Sequence, residues 1–187
     1  MSNQSDDTDP RRYSRVVVDG VEQAPSRAML RAVGFTEADF TKPQVGIAST
    51  WSMVTPCNMH IDKLAEKAVI GVDRNGGKAV TFNTITVSDG IPMGTPGMRA
   101  SLMSRETIAD SIELAVSGHS LDAMVVLVGC DKTLPAAAMA AARLDVPCVL
   151  LYGGSIGKGR YRDRDISIQD VFEAVGAHAA GTLGDKE

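Results

Sequence analysis

Three chemically different side chains stand next to one another in the segment VVLVGCDKTLP, residues 125–135: Cys130, Asp131 and Lys132. A cysteine thiolate is a soft ligand that suits an iron–sulfur cluster, whereas a carboxylate is a hard oxygen ligand that suits magnesium. The ammonium of lysine, by contrast, repels a divalent cation. This conflict disappears if Lys132 is neutral and has added carbon dioxide, because the resulting carbamate is itself an oxygen ligand. The segment therefore suggests two kinds of metal centre at one place.

The other two cysteines differ in their surroundings. Cys57 lies between Pro56 and Asn58, which indicate a loop, and a thiolate ligand is favoured there over a packing role. Cys148 stands mid-strand among apolar residues in VPCVLL, so we interpret it as a packing residue and not a ligand. Cys130 has the same alternative as a small buried residue, but the charged pair after it cannot enter a core without partners. Cys57 and Cys130 are therefore the candidate cluster ligands.

Three further motifs have simpler alternatives. Asp89 in VSDGIPMG is a candidate magnesium ligand, although Asp-Gly after a strand is also ordinary turn chemistry. His60 follows Cys57 at a spacing found in zinc sites, but no second ligand pair completes a set of four. GGSIGKGR, residues 153–160, resembles a phosphate-binding loop but is one residue short between its glycines and lacks Ser or Thr after Lys158. Zinc and ATP sites are therefore disfavoured.

The positions of these residues depend on the elements that precede them. Four short runs of aliphatic and β-branched residues predict strands buried on both faces: QVGIAST (44–50), AVTFNTITV (79–87), AMVVLVG (123–129) and PCVLLYG (147–153). Helical patterns lie between them in MHIDKLAEKAVIGVDRNGG (59–77), SRETIADSIELAVSGH (104–119) and PAAAMAAARL (135–144). Ser104 is expected to open the second helix as part of an incomplete capping box, with Ile108, Ile112, Leu114 and Ala115 on its apolar side. Pro135 is expected in the first turn of the third helix.

Strand and helix alternate with short connections, which predicts an α/β fold. We expect a mainly parallel sheet with helices on both faces, a three-layer α/β/α arrangement. In such a sheet, ligands bind outside the carboxyl ends of the strands. Five candidate residues are therefore expected to converge on one edge: Cys57, Asp89, Cys130, Asp131 and Lys132.

Composition narrows the classes of function. With 187 residues and 44% hydrophobic content, the chain is long enough for one well-buried domain. It carries 23 Asp and Glu against 19 Lys and Arg, without a basic stripe, so nucleic acid is not an expected partner. The polar N-terminus has no apolar targeting segment, and no apolar run is long enough to span a membrane. We therefore expect a soluble, cytoplasmic protein whose residues 1–14 form a disordered tail.

Several motifs in order resemble one known family. TPCNMH, VSDGIPMG, SRETIADSIE, GCDKTLPAAAMAAARLD and IQDVFEAVGAHAAG are similar to the N-terminal portion of the dihydroxy-acid dehydratase family, which also holds phosphogluconate and sugar-acid dehydratases. The similarity runs from about Ser14 to the end of the chain. It implies that residues 15–187 form an α/β N-terminal dehydratase domain of a larger enzyme, without the C-terminal domain.

The resemblance also implies cofactors and their ligands. Cys57 and Cys130 match cysteines that bind an iron–sulfur cluster, usually 2Fe–2S, with 4Fe–4S as the alternative. Asp89, Asp131 and Lys132 match magnesium ligands, the lysine as its carbamate. A third cluster cysteine, a glutamate ligand and a serine base would follow after Glu187, so no catalytic residue is expected within the chain. The isolated chain is therefore expected to be an inactive fragment.

The activity that the resemblance implies is dehydration of 2,3-dihydroxy carboxylic acids to 2-keto acids in valine, isoleucine and leucine biosynthesis. A homodimer acting on a small-molecule substrate is expected. Thr95 in MGTPGM departs from the histidine that many members have, which leaves a sugar-acid dehydratase as the alternative. A non-catalytic fragment is the alternative from a different class.

Overall fold

The computed structural model describes residues 9–185, which divide into two compact units, one ending at Gly154 and one beginning at Ser155. The larger unit contains a four-stranded sheet of β1 (Gln44–Ser49), β2 (Lys78–Asn83), β3 (Ala123–Val128) and β4 (Cys148–Tyr152). The strand order is β2-β1-β3-β4, and every pairing in this sheet is parallel. The prediction of an α/β fold with a mainly parallel sheet is confirmed.

A short helical segment precedes the sheet. It contains α1 (Arg15–Val18), α2 (Ala24–Ala32) and two 3₁₀ helices, Val21–Gln23 and Glu37–Thr41. The second 3₁₀ helix begins with a capping box, in which Asp39 accepts hydrogen bonds from the amide and hydroxyl of Thr36, each 2.8 Å long. Asp39 is buried, and its hydrogen bond from Lys42 holds the pKa of its carboxyl well below the usual range. The folded structure therefore stabilises the ionised form of Asp39.

The residues just before α1 are attached to the sheet. Of the predicted disordered tail, residues 1–8 lie outside the described residues. The amides of Tyr13 and Ser14 each donate to Asp122 Oδ1 over 2.8 Å, while the amide of Gln44 donates to Asp122 Oδ2. Asp122 is buried, so these bonds join the N-terminal segment to the starts of β1 and β3.

Helices cover both faces of the sheet, as predicted. On one face α3 (Ile61–Arg74) buries Ile61 and Ala65 against Ile47 and Leu127. On the other face, α4 (Met98–Gly118) and α5 (Cys130–Arg143) share a larger core with β1 and β3. This core includes Ile108, Ile112, Val126, Val128, Ala136 and Ala140. The small side chains of α5 let it lie close to the sheet.

Two helix starts were predicted too late. Helix α4 begins at Met98, and Ser104 is buried inside it, where its hydroxyl donates to the carbonyl of Ser101. Leu114 was placed on the apolar side but is 73% exposed. Helix α5 begins at Cys130, so Pro135 lies in its second turn. The sequence pattern missed both starts because the first turns, residues 98–101 and 130–133, include Arg, Ser, Asp, Lys and Thr instead of a continuous apolar stripe.

The expectation that all four strands are buried on both faces is wrong for the outer two. β1 and β3 are mostly buried, whereas β2 is only partly covered and Val149, Leu150, Leu151 and Tyr152 of β4 are exposed. Among the described residues, β2 and β4 each pair with a strand on one side only. Composition alone does not distinguish such strands from central ones.

The smaller unit has its own simple structure. An antiparallel hairpin of β5 (Gly159–Tyr161) and β6 (Arg164–Ile166) is followed by α6 (Ile168–Ala179). Ser167 and Asp170 form a capping box at the start of α6. No helix in the described part of the chain is long and apolar enough to cross a membrane.

Candidate metal centre

The topology places a crevice between the ends of β1 and β3. The chain leaves β1 for β2 on one side, while β3 pairs with β1 on the other side. This reversal of strand order is a topological switch point, where open α/β sheets bind ligands at the carboxyl ends of their strands. The loop after β1 carries Cys57, and Cys130 follows β3 directly after Gly129. Both candidate cluster ligands therefore come from the strands that flank the switch point.

Backbone contact brings these two loops together at Gly129. A Cβ atom added to Gly129 would lie 2.3 Å from the carbonyl oxygen of Cys57 and 3.0 Å from its carbonyl carbon. These separations are far below the ordinary contact distance of about 3.5 Å between nonbonded carbon atoms. Only glycine lets the Cys57 loop lie this close to the end of β3. No role was predicted for Gly129 from the sequence, because this contact joins two residues that are far apart along the chain.

Cys130 adopts an unusual backbone conformation at the start of α5. Its φ is 64°, in the left-handed region that residues other than glycine rarely occupy. In this conformation its Sγ lies 3.9 Å from Asp89 Oδ1 and 3.6 Å from Asp131 Oδ1. Asp89, Cys130 and Asp131 each offer a ligand atom, and these three atoms lie within 4.8 Å of one another. One thiol and two carboxylates therefore converge at one point.

The electrostatics of this point favour a bound cation. Burial raises the pKa of the Cys130 thiol to about 11, and the nearby carboxylates of Asp131 and Asp89 act in the same direction. A metal cation reverses this effect because it stabilises the thiolate that it binds. The donor set thus fits a metal centre better than it fits an isolated thiolate.

Lys132 supplies the positive charge in the described structure. Its Nζ lies 3.2 Å from Asp89 Oδ2 and also donates a hydrogen bond to Asp131 Oδ2. These bonds, led by the one to Asp131, raise the pKa of Lys132. Burial would raise the pKa of Asp131, but the hydrogen bond from Lys132 keeps it below its ordinary value. The Lys132 ammonium thus offsets part of the negative charge of the two carboxylates and has to be displaced or deprotonated before a carbamate forms.

The remaining cysteine and the alternative motifs lie elsewhere. Cys148 is the first residue of β4 and pairs with Met124 near the start of β3, so it is not mid-strand. Four residues of strand, about 13 Å, separate Met124 from the carboxyl end of β3. His60 Nε2 makes a 2.8 Å hydrogen bond with the carbonyl of Gly153, which gives it a structural contact. The segment GGSIGKGR runs into β5 and is not followed by a helix, as a phosphate-binding loop would be.

Comparison with known proteins identifies similar sequences. The family described as dihydroxy-acid/6-phosphogluconate dehydratase N-terminal matches residues 42–187. A dihydroxy-acid dehydratase of Methylococcus capsulatus is 60% identical over 181 residues, which cover 97% of this chain and 32% of the relative. The dihydroxy-acid dehydratases of Ruthia magnifica and Koribacter versatilis are 58% and 52% identical over 174 and 178 residues, covering 93% and 95% of this chain and 31% of each relative. The chain thus spans about a third of the length of the curated relatives it matches.

Proposed function

Because the chain belongs to the dihydroxy-acid/6-phosphogluconate dehydratase family, we propose that it forms part of a hydro-lyase that converts a 2,3-dihydroxy carboxylic acid to a 2-keto acid. We assign this reaction to valine, isoleucine and leucine biosynthesis. The names of the three relatives support the substrate class. Assembly as a homodimer in the cytoplasm is part of the same proposal.

The observation that carries this proposal is the convergence of soft and hard ligands at the end of β3. Asp89, Cys130 and Asp131 offer ligand atoms within 4.8 Å of one another, and Lys132 contacts both carboxylates. We propose that Cys57 and Cys130 bind an iron–sulfur cluster, 2Fe–2S in the first instance. Asp89, Asp131 and Lys132 as its carbamate would hold Mg²⁺. Cysteine thiolates are the usual ligands of iron–sulfur clusters, and carboxylate oxygens are ligands that suit Mg²⁺.

The chemistry follows from what the side chains hold in place. When bound, magnesium and the cluster would supply Lewis acidity to the oxygen atoms of the substrate. Dehydration removes the C2 proton and the C3 hydroxyl as water, and the remaining enol tautomerises to the keto acid without net oxidation. By holding Mg²⁺, Asp89 and Asp131 would determine where the hydroxyl and carboxylate oxygens of the substrate bind. We assign no proton acceptor among the described residues.

Loading the centre changes the protonation of Cys130 and of Lys132. Cys130, with its pKa raised to about 11, is a thiol at neutral pH and releases its proton when a cation binds. Lys132 begins as an ammonium ion, and its conversion with one carbon dioxide to the carbamate releases two protons. Loading should therefore become more favourable as pH rises.

The cysteine assignment can be tested by cluster reconstitution. The protein carrying this chain, expressed at its natural length, is incubated anaerobically with iron and sulfide, and its visible absorption and bound iron are measured. Cys57→Ser and Cys130→Ser should each abolish the absorption. Cys148→Ser is the matched control and should retain it, because this residue lies at the opposite end of the sheet. Equal loss in all three variants would show that the division of the cysteines is wrong.

The substrate is tested on the loaded protein by measuring keto-acid formation. A branched-chain dihydroxy acid should be converted faster than a longer aldonic acid. A preference for the aldonic acid would instead identify a sugar-acid dehydratase with the same ligands. A protein that binds the cluster and converts neither would support the non-catalytic alternative.

A further inference from the structure

A buried polar pair lies directly beside the candidate metal centre. Thr50, the residue after β1, and Asn58, the residue after Cys57, are both 0% exposed. The amide and the hydroxyl of Thr50 both donate to the carbonyl of Leu127 in β3, over 3.2 Å and 2.8 Å. Thr50 therefore fastens the end of β1 to the end of β3, which are the two strands at the switch point.

Asn58 connects the Cys57 loop to the same residue. Its Nδ2 donates to both the carbonyl and the hydroxyl oxygen of Thr50, each over 2.8 Å. Its own amide donates to the carbonyl of Thr55 over 2.8 Å, which closes the turn that contains Cys57. A Cβ on Gly129 would lie 3.3 Å from Asn58 Oδ1, so the amide also packs against the backbone before Cys130.

The third loop is attached to Thr50 as well. The Thr86 hydroxyl donates to the Thr50 carbonyl over 2.8 Å, and Thr86 lies three residues before Asp89. Thr50 is thus hydrogen-bonded to β3 and to the loops that carry Cys57 and Asp89. The three segments that supply the candidate ligands meet at one hydroxyl and one carbonyl.

Packing alone does not account for this pair. Asn58 Oδ1 is buried and has no hydrogen-bond partner within residues 9–185, and an unsatisfied buried acceptor is destabilising. An apolar side chain of similar size would avoid this cost. The two Nδ2 hydrogen bonds are what asparagine supplies and a leucine cannot. The arrangement resembles the outer hydrogen bonds that orient ligand side chains in metal sites.

We propose that Thr50 and Asn58 are positioning residues that hold the Cys57 and Cys130 thiols at the separation needed to share one metal group. The proposal rests on the proposed function for the identity of that group. Its own content is geometric: it requires the two thiols to be held close together before any metal binds. It can therefore be examined on the metal-free chain.

The test measures the proximity of the thiols in the 187-residue chain with Cys148→Ser, which leaves two cysteines. Dibromobimane becomes fluorescent once both of its reactive groups have bound thiols, so its rate of fluorescence gain reports how often the thiols are close. Thr50→Val keeps the shape of the side chain but removes the hydroxyl, and Asn58→Ala removes both Nδ2 bonds. We expect each to slow crosslinking about tenfold or more, since an error of about 1 Å in position has large kinetic effects.

Two controls separate positioning from general stability. Thr50→Ser restores the hydroxyl and should crosslink like the parent, whereas Asn75→Ala removes an exposed asparagine that bonds the carbonyl of Gly71 in α3 and should have no effect. Urea unfolding of each variant gives its stability, and crosslinking is compared where the chain is folded. If Thr50→Val fails to fold, Asn58→Ala decides the question.

Crosslinking that is unchanged in folded Thr50→Val or Asn58→Ala would overturn the proposal, and so would equal slowing in Thr50→Ser. Failure of the proposed function has a different signature. In that case the natural-length protein binds no iron and sulfide, while the metal-free crosslinking keeps its dependence on Thr50 and Asn58. The two ideas can therefore fail independently.

Discussion

The close approach of Gly129 to Cys57 makes Gly129→Ala a specific test of the candidate centre. The backbone of Gly129 has φ −140° and ψ 169°, an extended conformation that alanine adopts without strain. The effect of the change is therefore steric. An added Cβ at 2.3 Å from the Cys57 carbonyl oxygen has to gain about 1 Å to reach ordinary contact, and the Cys57 loop must move by that amount. Overpacking of this kind typically costs about 1–3 kcal/mol.

Gly71→Ala is the matched control for this substitution. Gly71 is exposed within α3, and a Cβ added there meets nothing within 4 Å. Alanine is favoured over glycine inside a helix by about 1 kcal/mol, so this variant should be more stable than the parent. Replacing glycine with alanine should thus lower the free energy of unfolding at position 129 and raise it at position 71.

The assay combines urea unfolding with reconstitution of the iron–sulfur cluster. Gly129→Ala should lower the free energy of unfolding and reduce the iron bound per chain. Gly71→Ala should raise the free energy of unfolding and leave the iron bound per chain unchanged. A Gly129→Ala protein with parental stability and parental iron content would refute the reasoning, because it would mean that the two loops are not in backbone contact. Loss of stability with full iron content would confine the contact to a structural role.

Three other changes give expected outcomes of different kinds. The hydrogen bond from Lys42 lowers the pKa of Asp39, so the ionised Asp39 stabilises the fold fully above about pH 4, the ordinary aspartate value, and this stabilisation is lost as pH falls. Asp39→Asn should lower the free energy of unfolding at pH 7 by about 1–3 kcal/mol and weaken the acid dependence of urea unfolding. The control Asp163→Asn, at an exposed position, should change neither. Because Cys130 has φ 64°, the Cys130→Gly variant should be more stable than Cys130→Ala by about 1 kcal/mol, the reverse of the order inside a helix. Equal thermal stability of the two variants would argue against the left-handed conformation. Lys132→Arg keeps the charge but cannot form a carbamate, so keto-acid formation should fall by more than tenfold, roughly the loss expected on removing a metal-orienting group, and near-parental turnover would exclude the carbamate.

The placement of the candidate residues at one edge of the sheet could be predicted from the sequence because it depends mainly on strand direction. Strands at 44–49 and 123–128 were identifiable from their aliphatic runs, and parallel strands separated by helices place their carboxyl ends together. Cys57 and Cys130 follow those ends, so their approach is a consequence of topology. The same reasoning separates Cys148, which starts its strand and does not follow one.

The fine geometry could not be predicted in the same way. Nothing in the letters GC indicates that Gly129 lies against the Cys57 carbonyl, because that contact joins residues more than 70 positions apart. Thr50 was predicted as the last residue of a strand and Asn58 as a loop residue, and their burial depends on the packing of three separate loops. Leu114 was misplaced for a related reason, since the apolar side of α4 is defined by which part of the sheet it meets.

The consecutive order Cys-Asp-Lys also needs a structural explanation, because a regular helix would spread three adjacent side chains. Successive residues of an α-helix are rotated by about 100°, so Cys130, Asp131 and Lys132 would fan out over more than half of the helix circumference. In the structure all three contact Asp89 or one another, and two features make this convergence possible. The left-handed φ of Cys130 brings its thiol to the carboxylates, and the long Lys132 side chain extends back to them.

A left-handed conformation costs about 1–3 kcal/mol in a residue other than glycine, and such strain is concentrated at functional sites. The first turn of α5 also provides a partial positive charge, which favours a thiolate and a carboxylate at that end of the helix. The strain at Cys130 therefore helps to bring one thiol and two carboxylates together at the start of an alanine-rich helix.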